Sequence, residues 1–81
     1  MQKFEILERK RITYEEFKQI QQYVKNLPEM ENCKGKLVIE CRKIAEIQLD
    51  DKTKAIYYIK LESHDDDEDY EFLIMKKIIT S

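Results

Sequence analysis

Residues 37–61 read LVIECRKIAEIQLDDKTKAIYYIKL, and the period of this stretch decides the fold class. From Leu37 to Leu49 the odd positions are Leu37, Ile39, Cys41, Lys43, Ala45, Ile47 and Leu49, and the even positions are Val38, Glu40, Arg42, Ile44, Glu46 and Gln48. Such alternation marks a strand with one buried and one largely wet face, because successive side chains of a pleated chain point to opposite sides. A run from 37 to 49 is long for one strand, so a bend or bulge near Arg42–Lys43 is expected. Asp50-Asp51-Lys52-Thr53 has turn chemistry, since an Asp side chain can close an Asx-turn. Lys54 to Glu62 then alternates again, with Ala55, Tyr57, Ile59 and Leu61 on one face, which makes a β-hairpin.

Upstream of Gly35 and the loop from Pro28 to Lys34, the period is that of a helix. Phe17, Ile20, Val24 and Leu27 form one apolar stripe, and Glu15, Lys18, Gln19, Gln22, Lys25 and Asn26 form a solvated face. Thr13 is a good N-cap, and Glu16 stands where its carboxylate can reach back to the Thr13 amide, a capping box. Ile12 and Phe17 fit a hydrophobic staple, and Glu15 and Glu16 place negative charge at the positive end of the helix dipole. The amphipathic helix is expected over about 14–27, stopped by Pro28.

Downstream, Ser63 to Asp69 reads as a polar loop and Tyr70 to Ile79 as a further strand with Tyr70, Phe72, Ile74 and Ile78 in phase. Lys76 and Lys77 are expected at a solvent edge, where charge discourages edge-to-edge association. At the N-terminus Phe4 and Ile6 in phase favour strand over a helical turn with two apolar anchors. The expected fold is therefore α+β: a single two-layer domain spanning 1–81, in the order β-α-β-β-β, with the helix on a mainly antiparallel sheet of three or four strands.

Composition bounds the function classes. At 81 residues the chain suits one domain with a thin core. Its 42% hydrophobic content is too high for a disordered chain, and its 40% charged content leaves no apolar run long enough for a membrane span. The N-terminal stretch alternates apolar and charged residues and does not read as a secretory leader. Two cysteines, Cys33 and Cys41, are too few for a disulfide scaffold; they could form one bridge, but a free buried thiol at Cys41 and a reduced, cytoplasmic setting are the favoured expectation.

No catalytic set converges in the sequence, and the chain reads as a non-enzyme without cofactor or metal. His64, the single histidine, lies beside carboxylates in an acidic loop and reads as a solvated surface residue. Cys33, Cys41 and His64 sit on separate elements and make a poor zinc set. An EF-hand starting at Asp65 fails, because Tyr70 stands where a sharp turn needs Gly and Lys76 where the loop needs Glu.

The charge pattern is more informative. Residues 62–81 carry a net charge of −5, against −2 for the whole chain, so the negative field is concentrated in one bend. Such a bend can be a solubilising turn, or an anchor that steers a basic partner into contact. The leading expectation is a binding protein, an inhibitor or regulator that masks a basic surface on a larger protein, such as one that holds nucleic acid. Its expected contacts are Asp65, Asp66, Asp67, Glu68, Asp69 and Glu71, with Tyr70 as an aromatic anchor. In general character the chain resembles phage and mobile-element accessory proteins, an analogy of class alone. One alternative is a homodimer formed through Val38, Ile44, Ile56 and Tyr58, if these make one exposed patch. Another is direct nucleic-acid binding through Arg9-Lys10-Arg11, Lys34, Lys36, Arg42 and Lys43 with a tyrosine platform, which the pI of about 5.4 opposes.

Overall fold

A helix of 11 residues is about 16 Å long, whereas strands of 11 to 13 residues reach roughly 40 Å, so the helix can cover only one end of the sheet. In a computed structural model, which describes residues 2–30, 33, 35, 37–65 and 69–81, the elements are β1 (Gln2–Ile12), α1 (Tyr14–Val24), β2 (Val38–Gln48), β3 (Thr53–Asp65) and β4 (Asp69–Thr80). The four strands form one antiparallel sheet in the order β1-β4-β3-β2, and the molecule measures 45 × 22 × 19 Å. It is a small single domain of the α+β class, mostly strand.

The helix starts where local chemistry places it. The Glu16 N–H donates to the Thr13 hydroxyl at 3.1 Å, and the Thr13 N–H donates to the Glu16 carboxylate at 3.0 Å. Both bonds satisfy amides that the first helical turn leaves without a partner. The Thr13 backbone N–H, and then its side chain, hold the Glu16 carboxyl below the ordinary carboxylate range. A carboxyl depressed in the folded state adds stability above its unfolded pKa of about 4.3, and that stability is lost as pH falls through the lower folded value. The helical circular-dichroism signal is therefore expected to weaken in that acid range. Glu16→Gln, which keeps the bond but cannot titrate, is expected to flatten the acid limb; an identical limb in the variant would show that the box contributes nothing. The last helical residue is Val24 rather than Leu27: residues 25–27 form a turn in which the Leu27 N–H donates to the Val24 carbonyl at 2.9 Å, ahead of Pro28.

Ile12, Phe17 and Val24 are buried against Ile59 and Leu61, with Ile20, Leu27, Tyr70, Phe72 and Ile74 packed around them. Leu61 is fully buried. This core lies under the helix. A second cluster, Ile56, Tyr58, Leu73 and Met75, lies on the other face of the sheet, as the alternation along β3 and β4 requires, with Met30, Cys33, Cys41 and Ile79 against it. The patch of Val38, Ile44, Ile56 and Tyr58 is accordingly not an exposed one: Ile56 and Tyr58 are buried, and only Ile44 is exposed. Tyr58 is not a surface platform either; burial pushes its hydroxyl pKa up.

The register of β2 explains part of this. Breaks between Val38 and Glu40 and between Lys43 and Ala45 shift the alternation, the second beside the expected Arg42–Lys43 bend. Cys41 opposite Lys60 and Lys43 opposite Tyr58 thus lie on the face away from the helix, while Ala45 and Ile47 pair with Tyr57 and Ala55. Cys41 is not a free thiol. It is disulfide-bonded to Cys33 across a Cα–Cα distance of 6.2 Å. The adjoining segment covers the outer edge of β2: the Met30 N–H donates to the Cys41 carbonyl at 3.1 Å, the Lys43 N–H donates to the Pro28 carbonyl at 2.9 Å, and Glu29 bridges to Arg42.

Lys76 and Lys77 are not at an edge, because β4 lies between β1 and β3. Lys77 is buried with its Nζ 5.5 Å from the Phe4 ring centroid, and the Lys76 Nζ lies 5.7 Å from that of Tyr57. The aliphatic stems cover apolar surface while the ammonium groups meet aromatic faces. The edge role falls to β1, which exposes Lys3, Glu5, Glu8, Arg9, Lys10 and Arg11 and carries a register break between Ile6 and Glu8.

Candidate functional site

The hairpin of β3 and β4 is tighter than a loop from Ser63 to Asp69. Glu62 pairs with Glu71, Ser63 with Tyr70 and, after a register shift, Asp65 with Asp69, so only residues 66–68 join the strands. Extending the ladder satisfies more backbone groups, and it carries Tyr70 beneath the helix. The Tyr70 ring centroid lies 4.6 Å from that of Phe17 and 5.5 Å from that of Tyr14.

The same register sets two carboxylates face to face, which by itself repels. Three cationic or proton-bearing side chains gather around the pair. The Arg9 Nε donates to Glu71 Oε1. Lys60 Nζ lies 3.5 Å from Glu62 Oε2. His64 Nε2 lies 3.0 Å from Glu62 Oε1 and 3.3 Å from Glu71 Oε2, a contact satisfied when that nitrogen carries a proton. Glu71 is the most enclosed member, with its side chain 8% exposed. The Arg9 hydrogen bond holds the Glu71 carboxyl below the usual range against the opposing effect of burial. The ligand atoms of Glu62, His64 and Glu71 all lie within 4.8 Å of one another.

The seven residues expected to contact a partner therefore fall into distinct settings. Asp66, Asp67 and Glu68 lie outside the described residues, and so does the side chain of Asp65, whose backbone ends β3. The Asp69 carboxylate accepts from Arg11 Nη2 at 3.2 Å. Tyr70 is half-buried against the helix, and Glu71 is committed to Arg9 and His64. His64 is half-buried between two carboxylates, not a solvated surface residue. Cys33 and Cys41, joined to each other, have no thiolates to offer a metal.

Sequence reasoning missed Glu62, Lys60 and Arg9 as members of this cluster, and Arg11 as the partner of Asp69. A signal for the first existed. Centring the hairpin on residues 66 and 67 brings Glu62 opposite Glu71 by counting alone, with His64 in the same alternation as Glu62. Arg9 and Arg11 could be found only through the pairing of β1 with β4, which sets Arg11 opposite Glu71 and Arg9 opposite Leu73. No protein-family model, curated protein or solved structure matches this chain.

Proposed function

We propose that the protein is a non-enzymatic binding protein, an inhibitor or regulator that docks the acidic bend between β3 and β4 onto a basic surface of a larger protein. The observation that carries this reading is the net charge of −5 over residues 62–81 in a chain of net −2. The cluster beside the bend refines the contact set. Glu62, Asp69 and Glu71 spend charge on Lys60, Arg11 and Arg9 within the fold; Asp65, Asp66, Asp67 and Glu68 are assigned to the partner on the charge of that run in the sequence. Tyr70 acts from behind, fixing the base of the bend through its contact with Phe17. A partner of this kind gains chiefly in association rate and in discrimination against acidic surfaces.

The test uses the chain as bait in a lysate of its native host, in parallel with a variant carrying Asp65→Asn, Asp66→Asn, Asp67→Asn and Glu68→Gln. The partner captured by the parent is then titrated against both at two salt concentrations. Affinity is expected to fall at least tenfold in the variant, with a shallower salt dependence. Equal affinity and an equal salt slope would remove the acidic bend from the interface.

A further inference from the structure

The geometry points to a divalent transition-metal site, with zinc as its reference cation, formed by Glu62, His64 and Glu71 on the sheet face away from the helix. The three donors belong to one hairpin: the ladder sets Glu62 opposite Glu71, and His64 stands at the register shift between Ser63 and Asp65, two residues along β3 from Glu62. Ligand atoms that share a tetrahedral zinc at metal–ligand distances near 2.0–2.2 Å stand about 3.3 Å apart. His64 Nε2 lies 3.0 and 3.3 Å from its two carboxylate oxygens, and the three ligand atoms all lie within 4.8 Å of one another, so the glutamate side chains would close around a cation that replaces the shared proton.

The second observation is the division of labour between the carboxylate oxygens. Glu71 turns Oε1 to Arg9 and Oε2 to His64, and Glu62 turns Oε2 to Lys60 and Oε1 to His64. Each proposed ligand oxygen is thus backed by a cation on its distal partner, the arrangement that orients carboxylate ligands in metal sites. The donor set of one imidazole and two carboxylates suits zinc, and three protein ligands leave a fourth position for water. Calcium, which takes six to eight oxygens, is poorly matched. The site is separate from the partner contacts at Asp65–Glu68, and its test does not depend on the docking proposal.

His64 is the single histidine of the chain, so its ring resonances need no assignment. Tag-free protein with its disulfide intact is titrated with zinc chloride, followed by calorimetry and by the His64 ring signals in NMR. One equivalent per chain is expected to bind and to shift the His64 signals to saturation. His64→Ala and Glu62→Gln are each expected to weaken binding at least tenfold. The triple variant Asp66→Asn, Asp67→Asn, Glu68→Gln is expected to stay within about twofold of the parent. The parent titration reads the site without any substitution, so misfolding of a variant cannot mask the outcome. Absence of stoichiometric binding, unmoved His64 signals, or loss of binding in the triple variant would overturn the assignment.

Discussion

Leu61→Ala is expected to lower stability by about 2–5 kcal/mol, the range for deleting a buried leucine where neighbours cannot collapse into the space. Leu61 has no exposed surface and lies in the core with Ile12, Phe17, Val24 and Ile59, so the cavity would open where helix and sheet meet. The loss is large because the domain is small. At ~0.05–0.15 kcal/mol per residue, a chain of 81 residues has only about 4–12 kcal/mol to lose. Each kcal/mol shifts the midpoint of a domain this size by about 4–8 °C, so Tm is expected to drop by at least 8 °C. Denaturant and thermal melts check this, with Ile47→Ala as the control, since Ile47 is 48% exposed and its truncation should stay near 0.5 kcal/mol. Equal losses in the two variants would show that the face under the helix is not the core.

Reduction of Cys33–Cys41 is expected to produce the second large loss. The bond closes a loop with a sequence separation of 8, for which restriction of the unfolded chain contributes about 2–3 kcal/mol. It also pins the segment whose Met30 and Pro28 backbone groups pair with the outer edge of β2. Opening it should free that edge to exchange its amide protons faster than those of β4, which lies inside the sheet. The oxidised protein is expected to show no titratable thiol after denaturation without reductant. Cys33→Ser with Cys41→Ser should reproduce the stability of the reduced parent. Two free thiols in the untreated protein, together with indifference to reductant, would contradict both the pairing and the loss.

The two expectations have different roots. Burial of Leu61 follows from its phase in an alternating strand, which places it with Ile59 under the helix. The cysteine bond depends on register. Straight alternation puts Cys41 on the same side as Ala45 and Ile47, but the breaks in β2 turn it to the opposite side, within reach of Cys33. A register break costs one position in the count and reverses every side chain beyond it. The candidate site was only partly visible for the same reason. The acidic run could be read directly, yet the loop boundary at Ser63–Asp69 hid the opposition of Glu62 and Glu71 and left His64 looking solvated.

What the amino-acid order by itself determined is local. The capping box of Thr13 and Glu16, the turn at Asp50–Thr53 and the period-two runs each depend on residues a few positions apart, and each energy is settled within the segment. The concentration of negative charge near the C-terminus is likewise a property of the chain. Tertiary structure alone decided that β4 runs inside the sheet, that Lys77 is buried over Phe4, and that Arg9 meets Glu71 across 62 positions. Strand order is chosen by the sum of many weak cross-strand contacts between distant segments, and no single stretch contains that sum.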